Sequence, residues 1–204
     1  MRKDLGSLLM ENFRRYDKYD ESRYNRKGLS YLLMRKKADE IVIPYLKNIK
    51  NKKILEVGVG YGYYKDAYFL DNDVTGYDVN PEMGKNLGIE IISGKADEVG
   101  KIEEQYDYVL SFYMTEYLCL EELRRFIDDS VDILLKDGGV FASTIIVKRG
   151  MGRLYTSLAT MKGIKKYSYS YEDIKSMVIG RNYNIEPLNT YLGIPMTVLL
   201  EIRK

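Results

Sequence analysis

Residues 54–62 read ILEVGVGYG, and residues 74–80 read VTGYDVN. Ile54, Leu55 and Val57 form a short apolar run of the kind that makes a buried strand, and the run passes straight into a turn with glycine at 58, 60 and 62. Glycine is needed where the backbone must adopt positive φ or where a ligand must come close to the main chain. The second run ends on Asp78, which places a carboxylate at a strand tip, where it can accept hydrogen bonds from a ribose diol. Strand, tight glycine turn, helix, strand and terminal acid together make half of a nucleotide-binding α/β unit. A dinucleotide site would need a third glycine at position 63, which is Tyr63.

From Lys52 onward, strand and helix patterns alternate, as in a mostly parallel sheet covered on both faces. The strands are expected at 53–58, 73–78, 89–93, 106–112, 139–147, 184–192 and 195–203, the last two as an antiparallel pair. The expected fold is α/β: a Rossmann-like three-layer sandwich, seven-stranded and mostly parallel with an antiparallel C-terminal strand. Residues 1–50 read as an N-terminal helical cover, with Leu8, Leu9 and Phe13 on one stripe and Leu29, Leu32, Leu33, Ile41 and Leu46 on a second. Pro44 is expected to interrupt or kink the second helix. Residues 51–204 then form a single globular unit.

The run acid-x-Gly-x-Gly-x-Gly, from Glu56 to Gly62, resembles the first motif of class I S-adenosylmethionine-dependent methyltransferases. The resemblance continues in order over residues 50–204. Residues 89–99 resemble the third strand and its loop, 106–118 the fourth strand and the loop over the transferable methyl group, and 134–146 a helix end, a Gly-Gly turn and the fifth strand. Residues 169–191 resemble the sixth helix and strand, with Asn182-Tyr183 where the family usually has Gly-Phe. The resemblance implies S-adenosylmethionine as cofactor, with Glu56 near its methionine end and Gly58, Gly60 and Gly62 passing under it. It further implies Asp78 on the ribose, Val79 against the adenine, Ala96 and Asp97 near the adenine amino group, and Ser111 and Phe112 at the methyl-donor end.

Composition narrows the chemistry. The chain has 204 residues, one cysteine (Cys119) and no histidine. That excludes a disulfide framework, a cysteine metal cluster and a Ser-His hydrolase, so no metal is expected. Methyl transfer tolerates this lack, because the sulfonium leaves as a neutral thioether and the protein's main tasks are alignment and water exclusion. The polar N-terminus carries no secretory signal and no apolar run is long enough to span a membrane, so a cytoplasmic setting is expected.

Charge is unevenly spread. Residues 1–53 carry 15 basic and 7 acidic side chains, residues 54–147 carry 7 and 19, and residues 148–204 carry 10 and 4. Basic flanks around an acidic centre either balance within the fold or favour an anionic small-molecule acceptor. On the acceptor side Tyr113 and Glu116 are the catalytic candidates, beside Tyr117. Glu116 reads either as a base or as a helix-start acid. Of the 20 tyrosines, Tyr16, Tyr19, Tyr24 and Tyr31 could close over a sulfonium or serve only as packing aromatics. The acceptor pocket is expected from the N-terminal region, the 113–118 loop and the 148–170 segment. Ser111-Phe112-Tyr113-Met114 departs from the motif of enzymes that methylate exocyclic amino groups of bases. The competing readings are an RNA-modifying methyltransferase and a non-catalytic cofactor-binding or interaction protein.

Overall fold

The computed structural model describes residues 36–161, 163–191 and 194–204. The first helix, α1 (Lys36–Lys47), buries Ala38, Asp39, Val42 and Leu46. It runs through Pro44 unbroken, because the proline lies on the exposed side while the buried stripe holds both halves in place. The remainder of the expected cover, including Tyr16, Tyr19, Tyr24 and Tyr31, lies outside the described residues. Then follow β1 (Lys53–Val57), the single-turn α2 (Lys65–Tyr68), β2 (Asp73–Asp78), β3 (Glu90–Ser93) and β4 (Tyr106–Ser111). Next come α3 (Leu120–Asp129), β5 (Leu135–Ile146), α4 (Gly150–Met161), α5 (Tyr171–Met177), β6 (Asn182–Tyr191) and β7 (Ile194–Arg203).

The seven strands form one sheet in the order β3-β2-β1-β4-β5-β7-β6. β1 to β5 are parallel, with Ile54 beside Val74 and Tyr108, and β7 runs antiparallel to both β5 and β6. This is the expected Rossmann-like sandwich. The strand period of two sends alternate residues to opposite faces. Leu55, Val109, Phe141 and Val198 point into a core closed by α3 and α5. Ile54, Leu110, Ala142 and Leu199 point into a second core closed by α1 and α2.

Most strand ends differ from expectation by one residue, and two strand starts differ by more. β5 starts at Leu135 rather than 139, because Leu135 pairs with Tyr106 ahead of a register shift that resumes at Val140 beside Tyr108. The Lys136–Gly139 stretch, which reads as a turn, is an irregularity inside the strand, with Gly138 at φ +76°. β6 likewise begins at Asn182 rather than 184.

The strand order reverses between β1 and β4. The loops leaving their carboxyl ends therefore diverge and open a crevice, the place where open α/β sheets bind ligands. Among the described residues no helix is long and apolar enough to cross a membrane.

Candidate active site

Gly58, Gly60 and Gly62 carry the chain out of β1 with φ of +76°, +49° and +67°. Side-chain-bearing residues rarely adopt such angles, which accounts for the glycine spacing. A Cβ on Gly58 would lie 2.4 Å from Met114 Cγ, and one on Gly62 would lie 2.6 Å from Leu87 Cδ2. The β1 turn and the β4 loop therefore meet at Gly58 and Met114, at the point where the strand order reverses. Gly58→Ala is expected to lower stability by about 1–3 kcal/mol through strain and crowding. It is also expected to weaken cofactor binding roughly tenfold or more, a loss of about 1.4 kcal/mol or more. Thermal unfolding and titration calorimetry read the two effects separately.

Asp78 ends β2 nearly buried. Its Oδ2 accepts from the Gly60 N–H at 2.9 Å and its Oδ1 from the Asn80 N–H at 2.8 Å. One carboxylate thus locks the glycine turn to the end of β2, and because a carboxylate oxygen can accept more than one hydrogen bond, the same group can also meet a diol. The neighbouring Val79 is 41% exposed, an unusual position for an aliphatic residue at a strand end, and it offers an apolar platform. A cleft of about 650 Å³ opens there, lined among others by Tyr61, Lys65, Val79, Asn80, Leu87 and Ser93.

Glu56 points the other way, into the α1–α2 core, where it is almost fully buried. Its Oε2 accepts a 2.5 Å hydrogen bond from the Tyr68 hydroxyl. Burial, reinforced by the nearby Asp78 charge, pushes the Glu56 carboxyl up to about 8, and the Tyr68 bond only partly opposes this.

Ala96 and Asp97 lie in a 3-10 turn, Ala96–Lys101, just after β3. Ala96 packs on the α3–α5 core and Asp97 is half-buried; neither lines the cleft. Ser111, fully buried at the tip of β4, has a hydroxyl with no hydrogen-bond partner. Phe112 turns into the α1–α2 core and meets Tyr64 edge to face at 5.3 Å.

Tyr113 follows in a left-handed conformation, φ +57°, with its N–H donating to Thr144 Oγ1 at 2.7 Å. A non-glycine residue held at such an angle stores roughly 1–3 kcal/mol, and such strain concentrates at functional sites. Thr144 also accepts, through its carbonyl, from the Thr115 hydroxyl at 2.7 Å, so β5 shapes the β4 loop.

Glu116 lies in the single turn Thr115–Tyr117 and is buried. Lys166, 50 residues further on, donates to Glu116 Oε1 at 2.9 Å and to the Tyr155 hydroxyl at 2.7 Å. The side chains of the pair are 0% and 3% exposed for Lys166 and Glu116, so the ion pair is sealed from water. The Lys166 ammonium also sits 4.4 Å from the Tyr117 ring centroid and 4.9 Å from that of Tyr155. The backbone holds the arrangement, since the Tyr167 N–H donates to the Glu116 carbonyl at 2.7 Å. Glu116 Oε2 is buried with no hydrogen-bond partner. Thr144, Tyr155 and Lys166 are absent from the sequence-based set, and Lys166 in particular carries no local signal, being one of several lysines in a basic tract. Among the described residues no group of three or more His, Cys, Asp or Glu could hold a metal ion.

Residues 55–143 match the family model for a methyltransferase domain. From β1 to the middle of β5 the chain is therefore similar to methyltransferase domains. The enzyme class is methyltransferase, and two structures that share the fold hold S-adenosylhomocysteine or S-adenosylmethionine. The residues fit S-adenosylmethionine: a turn of glycines with no side chains of their own, a strand-tip carboxylate, an exposed apolar platform and an orphaned hydroxyl at the β4 tip. The methyltransferase fold is shared with solved structures. One is magnesium protoporphyrin IX methyltransferase from Synechocystis PCC 6803 with bound S-adenosylhomocysteine, 14% identical, TM-score 0.69, covering 97% of this chain and 99% of that one. Another is a possible histamine N-methyltransferase from Thermotoga maritima, 17% identical, TM-score 0.67, covering 96% and 99%. A third is DhpI in complex with S-adenosylmethionine and HEP, 17% identical, TM-score 0.69, covering the whole of both chains. No curated protein sequence matches the methyltransferase.

Proposed function

We propose that the enzyme methylates a small-molecule acceptor at an oxygen or nitrogen whose proton passes to Glu116. The observation that carries this reading is Glu116 Oε2, a buried carboxylate oxygen with no donor. Leaving such an atom unsatisfied costs about 1–3 kcal/mol or more, and an acceptor hydroxyl or amine would supply the missing bond. Lys166 occupies the other oxygen and compensates the charge. That neutralisation disfavours a second anion at the reacting position. An anionic group elsewhere on the acceptor remains compatible with the exposed Lys148, Arg149 and Arg153.

The bound cofactor supplies an electrophilic methyl carbon. Gly58, Gly60 and Asp78 are proposed to hold it, with Val79 under the adenine and Glu56 toward the methionine end. Ser111 would donate to its nearby polar groups, while Ala96, Asp97 and Phe112 support the surrounding walls. Met114 packs against Gly58, and Tyr113 and Glu116 are proposed to border the donor end. The acceptor's proton would pass to Glu116 Oε2, and burial of the pair would keep water from competing. The likeness to an enzyme named for magnesium protoporphyrin IX, a small molecule, supports the acceptor class, and a cytoplasmic setting fits the single cysteine.

Incubation with methyl-labelled cofactor and a cell extract, followed by size fractionation, tests the reading. Label is expected in the small-molecule fraction and is expected to fall about 100-fold or more with Glu116→Gln, while cofactor binding persists. Label in RNA would favour the RNA-modifying alternative, and tight cofactor binding with no label in any fraction would favour the non-catalytic one.

A further inference from the structure

We infer that α4 docks the enzyme on an anionic phospholipid surface. A surface helix ordinarily turns polar residues to water. The inner face of α4 buries Gly152, Thr156 and Ala159. Its outer face presents Leu154, Leu158 and Met161 at 49%, 48% and 82% exposure. Their spacing of four and three residues places them on one stripe. The helix therefore has an apolar ridge on the side away from the protein.

Charge identifies the occupant. From Lys148 to Tyr171 the sequence contains no acidic residue. Lys148, Arg149 and Arg153 are exposed at the start of the ridge, and Lys165 is exposed beyond its end. An apolar ridge with cations at both ends suits a plane of anionic headgroups, with the leucines and methionine entering the acyl boundary and each nearby cation adding electrostatic attraction. The other candidate covers carry the wrong charge. Residues 1–35 hold 9 basic and 5 acidic side chains, and a second copy of α4 would bring the same cations. At 12 residues, α4 can lie on a bilayer but cannot cross it. Docking this way would set the Glu116–Lys166 pair one helix away from the lipid interface, since Tyr155 of α4 contacts Lys166.

Flotation of the full chain with vesicles tests the inference. Binding is expected to phosphatidylglycerol–phosphatidylcholine vesicles and not to phosphatidylcholine alone, and it should weaken as salt rises. Leu158→Glu with Met161→Glu, at exposed positions, should reduce binding tenfold or more. Arg149→Gln with Arg153→Gln should also weaken it severalfold. Unchanged melting temperature and cofactor affinity in these variants would show that the fold and the cofactor site are intact. The inference is overturned if the wild-type chain ignores anionic vesicles at low salt, or if the Leu158/Met161 variant binds them as well as wild type. It is equally overturned if binding is lost on neutralising Arg14, Arg15 and Lys18 but not on changing α4.

Discussion

Lys166→Met is expected to destabilise the enzyme by about 3–5 kcal/mol, the loss typical when one partner of a buried ion pair is removed. Lys166 is wholly buried, and removing its ammonium leaves Glu116 charged in the protein interior with neither oxygen satisfied. The Tyr155 hydroxyl loses the Lys166 donor at the same time. The pair itself contributes far less than this figure, because desolvating two charges offsets most of their attraction. The double variant Glu116→Gln, Lys166→Met should therefore recover much of the loss. Chemical denaturation of both singles and the double gives the coupling directly. Strict additivity would mean that the two side chains do not act as a pair. Activity separates a site from a structural bridge: the double variant should regain stability yet stay inactive, because the proposed proton acceptor is gone.

This pair also shows what a sequence can and cannot disclose. The β1 turn was legible because its cause is local: three glycines at positive φ directly after an apolar run. Asp78 was legible because a strand tip is itself a position. The bounds of β2 are residues 73–78, as expected, and the strand is buried continuously from Val74 to Asp78. Glu56 was readable as an acid in need of a partner, but which partner depended on where α2 would lay Tyr68. Lys166 was not readable at all. It reaches Glu116 only because residues 164–170 return beside β5, where the Tyr169 N–H donates to the Ile146 carbonyl. Phe112 and Ala96 show the opposite effect: both sit next to strand tips in sequence, yet their side chains turn into the two cores. Proximity along the chain gave the neighbourhood, while side-chain direction depended on strand phase at the last residue.

Glu56 should make stability fall as pH rises. Its carboxyl stands at about 8 in the folded protein against 4.5 ordinarily, so the native state holds a proton that the unfolded chain has already released. The sign follows from linkage: the contribution is fully present below about pH 4.5, declines as pH climbs, and is exhausted above about 8. A shift of this size corresponds to roughly 5 kcal/mol across that window. Other carboxylates act in the opposite sense at acid pH, so the comparison that isolates the effect is wild type against Glu56→Gln. The difference in unfolding free energy between them should change by several kcal/mol from pH 5 to pH 8, whereas parallel curves would mean that Glu56 is ionised throughout. Tyr68→Phe sharpens the test, because the Tyr68 bond is the one contribution holding the carboxyl down; removing it should push the window to still higher pH. If Glu56 lies toward the methionine end as proposed, the same group links folding to cofactor binding. An ammonium brought near Glu56 favours the carboxylate, so binding below pH 8 should release a proton from this side chain. Calorimetry in buffers of different ionisation enthalpy would then give apparent heats that diverge for wild type and coincide for Glu56→Gln.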